Sequence, residues 1–129
     1  MTRYLLDADT VIDFLARRPA AVELLSRLDA LRDELCVCDV VLAELYSGFS
    51  DRERTEAVEF VPGLRFLPTY AETGIQAGAW RYLYARRGRQ LATTDCLIAA
   101  TAHAHGATLI TGNVRDFPQP ELSLLPLPK

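Results

Sequence analysis

At 129 residues, half of them hydrophobic, the chain suits one compact domain (residues 1–129) with a sizeable core. Its net charge of −3 excludes a basic protein that coats nucleic acid, though not an enzyme whose acids gather round a metal. Three cysteines with no regular framework exclude a disulfide scaffold, and no apolar run reaches the roughly 18–20 residues that a membrane span needs. At the amino terminus Asp7, Asp9 and Asp13 break the apolar run at once, which is not a signal-peptide layout, so the expected setting is the cytoplasm.

The first element is a short buried strand, RYLLD, over Arg3–Asp7. A helix near Thr10–Arg17 follows, with Pro19 as its stop. Residues Ala20–Glu34 carry Val22, Leu25, Leu28 and Leu31 at helical spacing. The run LCVC (Leu35–Cys38) reads as a second strand, with Cys36 and Cys38 on one side as small buried residues. Asp39 is a plausible cap for a helix over Val40–Gly48. A polar, exposed helix over Arg52–Val61 is closed by Pro62-Gly63, and LRFLPT reads as a third strand. The next helix runs from about Ala71 to about Arg87, with Ile75, Ala79, Tyr82 and Leu83 on one side and Gly88 as a stop. A strongly apolar helix opening near Asp95 ends at Gly106, TLIT follows as a strand, and LSLLPL gives a short edge strand because Pro126 bars a central one. Alternation of strands and helices predicts a three-layer α/β/α sandwich: a mainly parallel sheet, helices on both faces and right-handed connections.

In such a sheet, ligands sit beyond the carboxyl ends of the strands. Asp7 ends the first strand, Glu44 lies in the helix after the second, Asp95 opens the helix before TLIT, and Asn113 and Asp116 follow TLIT. Each also has a structural reading. Asp9 or Thr10 can cap the first helix, Thr93 or Thr94 the helix of Asp95, and Asn113 a final helical turn. Glu44 is hardest to explain that way, since it sits among small and apolar residues in VVLAELYSGF. Carboxylates gathered at one sheet edge repel, and a divalent cation relieves the repulsion. Oxygen-only ligation favours Mg²⁺ or Mn²⁺, which can acidify bound water and offset phosphoryl charge. Hydrolysis of phosphodiesters is the chemistry that such a cluster suits. His103 and His105 point to different faces of their helix, far along the axis from Asp95, and read as structural or solvated.

The segments LLDADTVID, VVLAELYSG and TTDCLIAATAHAHGATLITGNVRDF resemble the successive motifs of PIN-domain ribonucleases, and among these the VapC-type toxins of toxin–antitoxin pairs. The resemblance covers nearly the whole chain in order. It implies that Asp7, Glu44 and Asp95 fill the first three acidic positions, Asp7 and Asp95 being the main metal ligands. Asn113 fills the fourth, offering an oxygen without a charge, and Asp116 is the further acid. Asp9 stands where the family often has Asn. The resemblance further implies an endoribonuclease using Mg²⁺ or Mn²⁺, a cognate VapB-type antitoxin whose C-terminal segment covers the site, and a homodimer.

Arg81, Arg86, Arg87 and Arg89, with Tyr82 and Tyr84 among them, lie just before the Asp95 helix. They suit RNA phosphates and bases, or equally a solvated helix end whose charge matches the dipole. A rival enzyme is a haloacid-dehalogenase-like phosphatase, with Asp7 as nucleophile and Asp9 as acid/base in LLDADTV. That chemistry, like a phosphoaspartate receiver, wants a lysine near the phosphate, and the only lysine here is Lys129. A non-catalytic RNA- or protein-binding module is the remaining alternative.

Overall fold

The computed structural model describes residues 1–128. Its sheet has strands β1 (Arg3–Leu6), β2 (Glu34–Cys38), β3 (Arg65–Leu67), β4 (Thr108–Thr111) and β5 (Leu124–Pro126). The helices are α1 (Ala8–Leu15), α2 (Pro19–Ala30), α3 (Asp39–Gly48), α4 (Asp51–Phe60), α5 (Ala71–Ala85) and α6 (Thr93–Ala104). The strand order is β3-β2-β1-β4-β5 and every pairing is parallel. From β1 the chain steps outward through β2 to β3, then crosses back to β4 on the other side of β1. Right-handed crossovers of opposite sense put the helices of the two halves on opposite faces. Accordingly α1 packs with α2, α3 and α4, while α5 packs with α6.

The central strands are apolar because both of their faces are covered. Leu5 and Leu6 point to opposite faces and both are fully buried, as are Leu109 and Ile110 beside them. Cys36 and Cys38 are buried together and free, and burial pushes both thiols up to about 11. At the amino edge of the sheet Glu34 accepts from Arg3 at 2.9 Å and from Arg65 at 2.9 Å, tying the starts of β1, β2 and β3. These two arginines hold its carboxyl below the usual range, the hydrogen bond from Arg3 first among the causes.

Several local expectations change. The first helix starts at Ala8, and its cap is Asp7 rather than Asp9 or Thr10: Asp7 Oδ1 accepts from the Ala8 N–H at 2.8 Å. Pro19 does not stop this helix. The chain turns at Arg17, whose φ of 60° is left-handed, and Pro19 opens α2, where its missing N–H costs nothing. Asp39 is the first residue of α3 rather than its cap, with Oδ1 on the Val40 N–H and Oδ2 on the Thr69 hydroxyl. Neither Thr93 nor Thr94 caps α6, which begins after Ala92, and the side chain of Asn113 does not cap the short 3-10 turn at Val114–Asp116.

The largest difference lies in α5. The side bearing Ile75, Ala79, Tyr82 and Leu83 faces outward, with Ile75 71% and Tyr82 65% exposed. The buried side is Thr73, Ala77, Trp80 and Tyr84. Two aromatic rings with polar tips outrank aliphatic residues here because each tip finds a partner: Trp80 Nε1 donates to Glu121 and the Tyr84 hydroxyl to the Pro118 carbonyl. Beneath them α6 is buried through Cys96, Ile98, Ala99, Ala100, Thr101 and Ala102, all but Ile98 small residues that let it lie close to the sheet. Gly106, at φ 62°, stops this helix as expected.

The apolar pairing of β1 with β4 centres this core. Leu109→Ala is expected to lower the unfolding free energy by about 3 kcal/mol, read as a lower urea midpoint with an unchanged slope.

Candidate functional site

The direction of chain travel reverses between β1 and β4, which makes their carboxyl ends a topological switch point, where open α/β sheets form a crevice. Asp7 stands at that end of β1. It is 7% exposed, and both of its oxygens are used: Oδ1 accepts from the Ala8 N–H, and Oδ2 from the Thr111 hydroxyl at 2.8 Å. The Thr111 oxygen in turn accepts from the Asn113 N–H at 3.0 Å. Despite these donors, the Asp7 carboxyl is pushed up to about 6, chiefly by burial, with the charges of Asp9 and Asp95 adding to it.

The other acids reach the same edge on different elements. Asp95 lies in the first turn of α6, partly buried, and is also pushed up to about 6 by burial, then by the charges of Asp116 and Glu44. Glu44, half-buried on α3, is raised by burial and by Asp7, against a hydrogen bond with Thr94. Its neighbour Leu45 is in the core, so the helix turns Glu44 toward the rim. Asp7, Glu44, Asp95 and Asp116 are therefore linked pairwise by repulsion across the switch point. Among the described residues no three such side chains converge tightly enough to ligate one ion without adjustment. The donor set itself, carboxylates raised above their ordinary range by burial and then by one another's charge at Asp7, Glu44 and Asp95, suits a hard divalent cation.

Asn113 is exposed at the end of β4, and its side-chain Nδ2 donates to Asp9 Oδ2 at 3.2 Å. Asp116 follows in the 3-10 turn, its N–H bonded to the Asn113 carbonyl at 2.9 Å. Of the four arginines, Arg89 comes nearest to these residues. It donates to the Arg115 carbonyl, and with Gly112, Asn113, Val114, Arg115 and Asp116 it lines a surface pocket of about 480 Å³. Arg81 is committed to the Leu91 carbonyl at 2.9 Å. Arg86 and Arg87 lie over the rings of Tyr82 and Tyr84, in the turn that ends α5. The histidines serve elsewhere: His105 Nε2 meets the Pro68 carbonyl at 2.8 Å, and His103 packs edge-on to Trp80.

Sequence reasoning missed Thr111 and Thr94. Thr111 left a signal, a hydroxyl at a fully buried strand end where an apolar residue would otherwise stand. Thr94 left none beyond its place beside Asp95.

The raised carboxyls have a consequence for stability. Asp7 and Asp95 titrate near 6 in the folded chain, against an ordinary value of 3.8, so between these values the folded state holds more protons than the unfolded one. Metal-free protein should then lose stability as pH rises from about 4 to about 6, with the full penalty above that. Asp95→Asn should match the unsubstituted chain near pH 4 and exceed it near pH 7 by roughly 1 kcal/mol, allowing for the partial exposure of Asp95. Urea unfolding in chelator at both pH values measures the gap, and a gap that fails to widen with pH would contradict the assignment.

Comparison with known proteins agrees with this fold. The PIN domain family matches residues 4–120. Ribonuclease VapC2 of Haemophilus influenzae is 30% identical over 122 residues, covering 91% of each chain. The tRNA(fMet)-specific endonuclease VapC of Shigella flexneri is 29% identical over 122 residues, again covering 91% of each. Among solved structures, VapBC2 from Rickettsia felis bound to a DNA fragment from its promoter superposes with a TM-score of 0.85 at 25% identity, covering 97% of this chain and 98% of that one. With its acids at the β1/β4 switch point and matches that span nearly its whole length, the chain belongs to the PIN-domain family, in the branch of the VapC ribonucleases.

Proposed function

We propose that this chain is a metal-dependent endoribonuclease, the toxin of a toxin–antitoxin pair. The observation that carries this reading is the mutual repulsion of Asp7, Glu44, Asp95 and Asp116 at one sheet edge. The names of the related ribonucleases and of the VapBC assembly support it.

Asp7 and Asp95 are the residues that would hold Mg²⁺ or Mn²⁺, with Glu44 and Asp116 completing or orienting the site and the Asn113 amide offering an oxygen. When bound, such an ion lowers the pKa of a water and offsets charge on the reacting phosphate. The chain's own part is placement. Thr111 and the Ala8 N–H fix both oxygens of Asp7, so that it needs no reorganisation. The amino end of α6 offsets part of the charge of Asp95. Arg89, beside Asp116, can take an RNA phosphate, with Arg86, Arg87 and Arg81 extending a basic edge. A phosphatase of the haloacid-dehalogenase type gains no support, since Asp9 is spent on the turn after β4 and no lysine lies in the site among the described residues.

The partners of this reading are RNA, a cognate VapB-type antitoxin and a second copy of the chain, in the cytoplasm. No helix among the described residues is long and apolar enough to cross a membrane.

Purified, antitoxin-free protein should cut a cellular RNA pool, transfer RNA included, into discrete fragments with Mg²⁺ or Mn²⁺ and not with chelator. Asp7→Ala and Asp95→Asn should each reduce cleavage by more than about a hundredfold, the order of effect expected when one charge-handling group of a site is removed. Full activity of either variant would sink the assignment. Joint replacement of Arg86, Arg87 and Arg89 by Gln should weaken RNA binding and flatten the slope of log affinity against log salt by about 2, at roughly 0.7 per lost phosphate contact on single strands. An unchanged slope would remove these arginines from the RNA path. Sedimentation of the free protein at micromolar concentration tests the dimer.

A further inference from the structure

Asp9 is the one acid of the DAD segment that the site's chemistry leaves unused. Its side chain reaches the turn that follows β4. Asp9 Oδ2 accepts from the Gly112 N–H at 2.8 Å and from Asn113 Nδ2 at 3.2 Å, and Thr10, the next residue, donates to the Ile110 carbonyl at 2.9 Å. A Cβ on Gly112 would lie 2.8 Å from the same Oδ2. The carboxylate therefore approaches this backbone closely only because position 112 has no side chain.

The geometry points to Asp9 as a positioning residue: with Gly112 it forms a clasp that fixes the turn carrying Asn113 and Asp116. A carboxylate only accepts hydrogen bonds, so Asn113 must turn its NH₂ toward Asp9, and its amide oxygen faces the other way. The Asn113 carbonyl in turn holds the Asp116 N–H. Two successive amides of the turn are thus fastened to the two acids of one segment: Gly112 directly to Asp9, and Asn113 through the Thr111 hydroxyl to Asp7. Outer contacts of this sort hold a site to its working geometry. Asp9 acts through the turn and not as a metal ligand. The inference rests on the nuclease reading for its consequence in catalysis, but the clasp itself can be tested without it.

Asp9→Asn keeps an acceptor oxygen for Gly112 and Asn113 and removes the charge; Asp9→Ala removes the acceptor; Gly112→Ala pushes it away. In ¹⁵N-labelled, metal-free protein, the Gly112 amide should exchange slowly in the unsubstituted chain and in Asp9→Asn. It should exchange faster in Asp9→Ala and Gly112→Ala, with the Asn113 side-chain NH₂ signals moving in both. The rest of the spectrum reports whether each variant is folded. Mn²⁺ titration of stripped protein should give Asp9→Asn an affinity within about threefold of the unsubstituted chain and Asp9→Ala a loss of about tenfold or more, the scale of lost outer-contact support. On RNA, Asp9→Ala should lower kcat with little change in KM, and the double variant with Gly112→Ala should fall no further than Asp9→Ala, because the two changes remove one shared contact. Unaltered Gly112 exchange in Asp9→Ala overturns the clasp. Mn²⁺ binding as weak in Asp9→Asn as in Asp9→Ala overturns the positioning role, because the charge and not the acceptor would then matter. Absence of RNA cleavage by the unsubstituted chain would count against the nuclease reading alone, and the exchange and Mn²⁺ measurements would still decide the clasp.

Discussion

The Thr111 hydroxyl donates to Asp7 Oδ2 between residues 104 positions apart in the chain, and this contact joins the two central strands at the edge where the acids collect. A carboxylate so nearly excluded from water is costly unless its oxygens are satisfied. The Ala8 N–H and Thr111 satisfy them, and so make it possible for Asp7 to remain at the end of a buried strand. Once Asp7 is fixed, its charge bears on Glu44 and Asp95, and Asp95 bears the charge of Asp116 as well. The whole candidate site is thus organised around one acid that the fold accommodates with difficulty.

The two edges of the sheet treat acids in opposite ways. At the amino edge Glu34 is matched by Arg3 and Arg65, and its carboxyl titrates low. At the carboxyl edge the four acids have one another and, among the described residues, no salt bridge, and the carboxyls of Asp7, Glu44 and Asp95 are raised. A chain selected for stability alone would place a cation among them. Here the unbalanced charge sits at a topological switch point, and elsewhere the core is well packed, which is the usual distribution of strain in a molecule whose site does chemistry.

Much of the architecture was legible in the sequence, because each strand is an apolar run between polar turns and the helices alternate with them. The parallel sheet, the edge position of the Pro126 strand and the stop at Gly106 all follow from local rules. The α5 helix was not legible in the same way. Its aliphatic side looks like a core face by composition, and only tertiary partners for the polar tips of Trp80 and Tyr84 decide that the other side is buried. Helix starts are hidden for a related reason: Asp7 has both a chemical role and a capping role, and only the fold shows that it caps α1. The convergence of the acids needed the strand order, which single-element reading cannot supply. The commitment of Asp9 to Gly112 is a contact across 103 residues that no pattern announces.

The placement of β4 has a bearing on when this protein can act. β4 is a central strand, yet it is built from residues 108–111, late in the chain, and it completes the pairing of β1, the earliest strand. During synthesis Asp7 and its helix emerge long before Thr111 exists, so the first acid lacks its Thr111 partner while α1 through α6 are made. Closure of β4 onto β1 then brings burial, hydrogen bonding and charge crowding to the site in one late event, with a long loop to close. A chain interrupted between Asp95 and Thr111 carries Asp7, Glu44 and Asp95 but lacks the contact that places Asp7. For a protein whose proposed work is to cut RNA in the cell that makes it, this order ties the placing of Asp7 to the closure of β4.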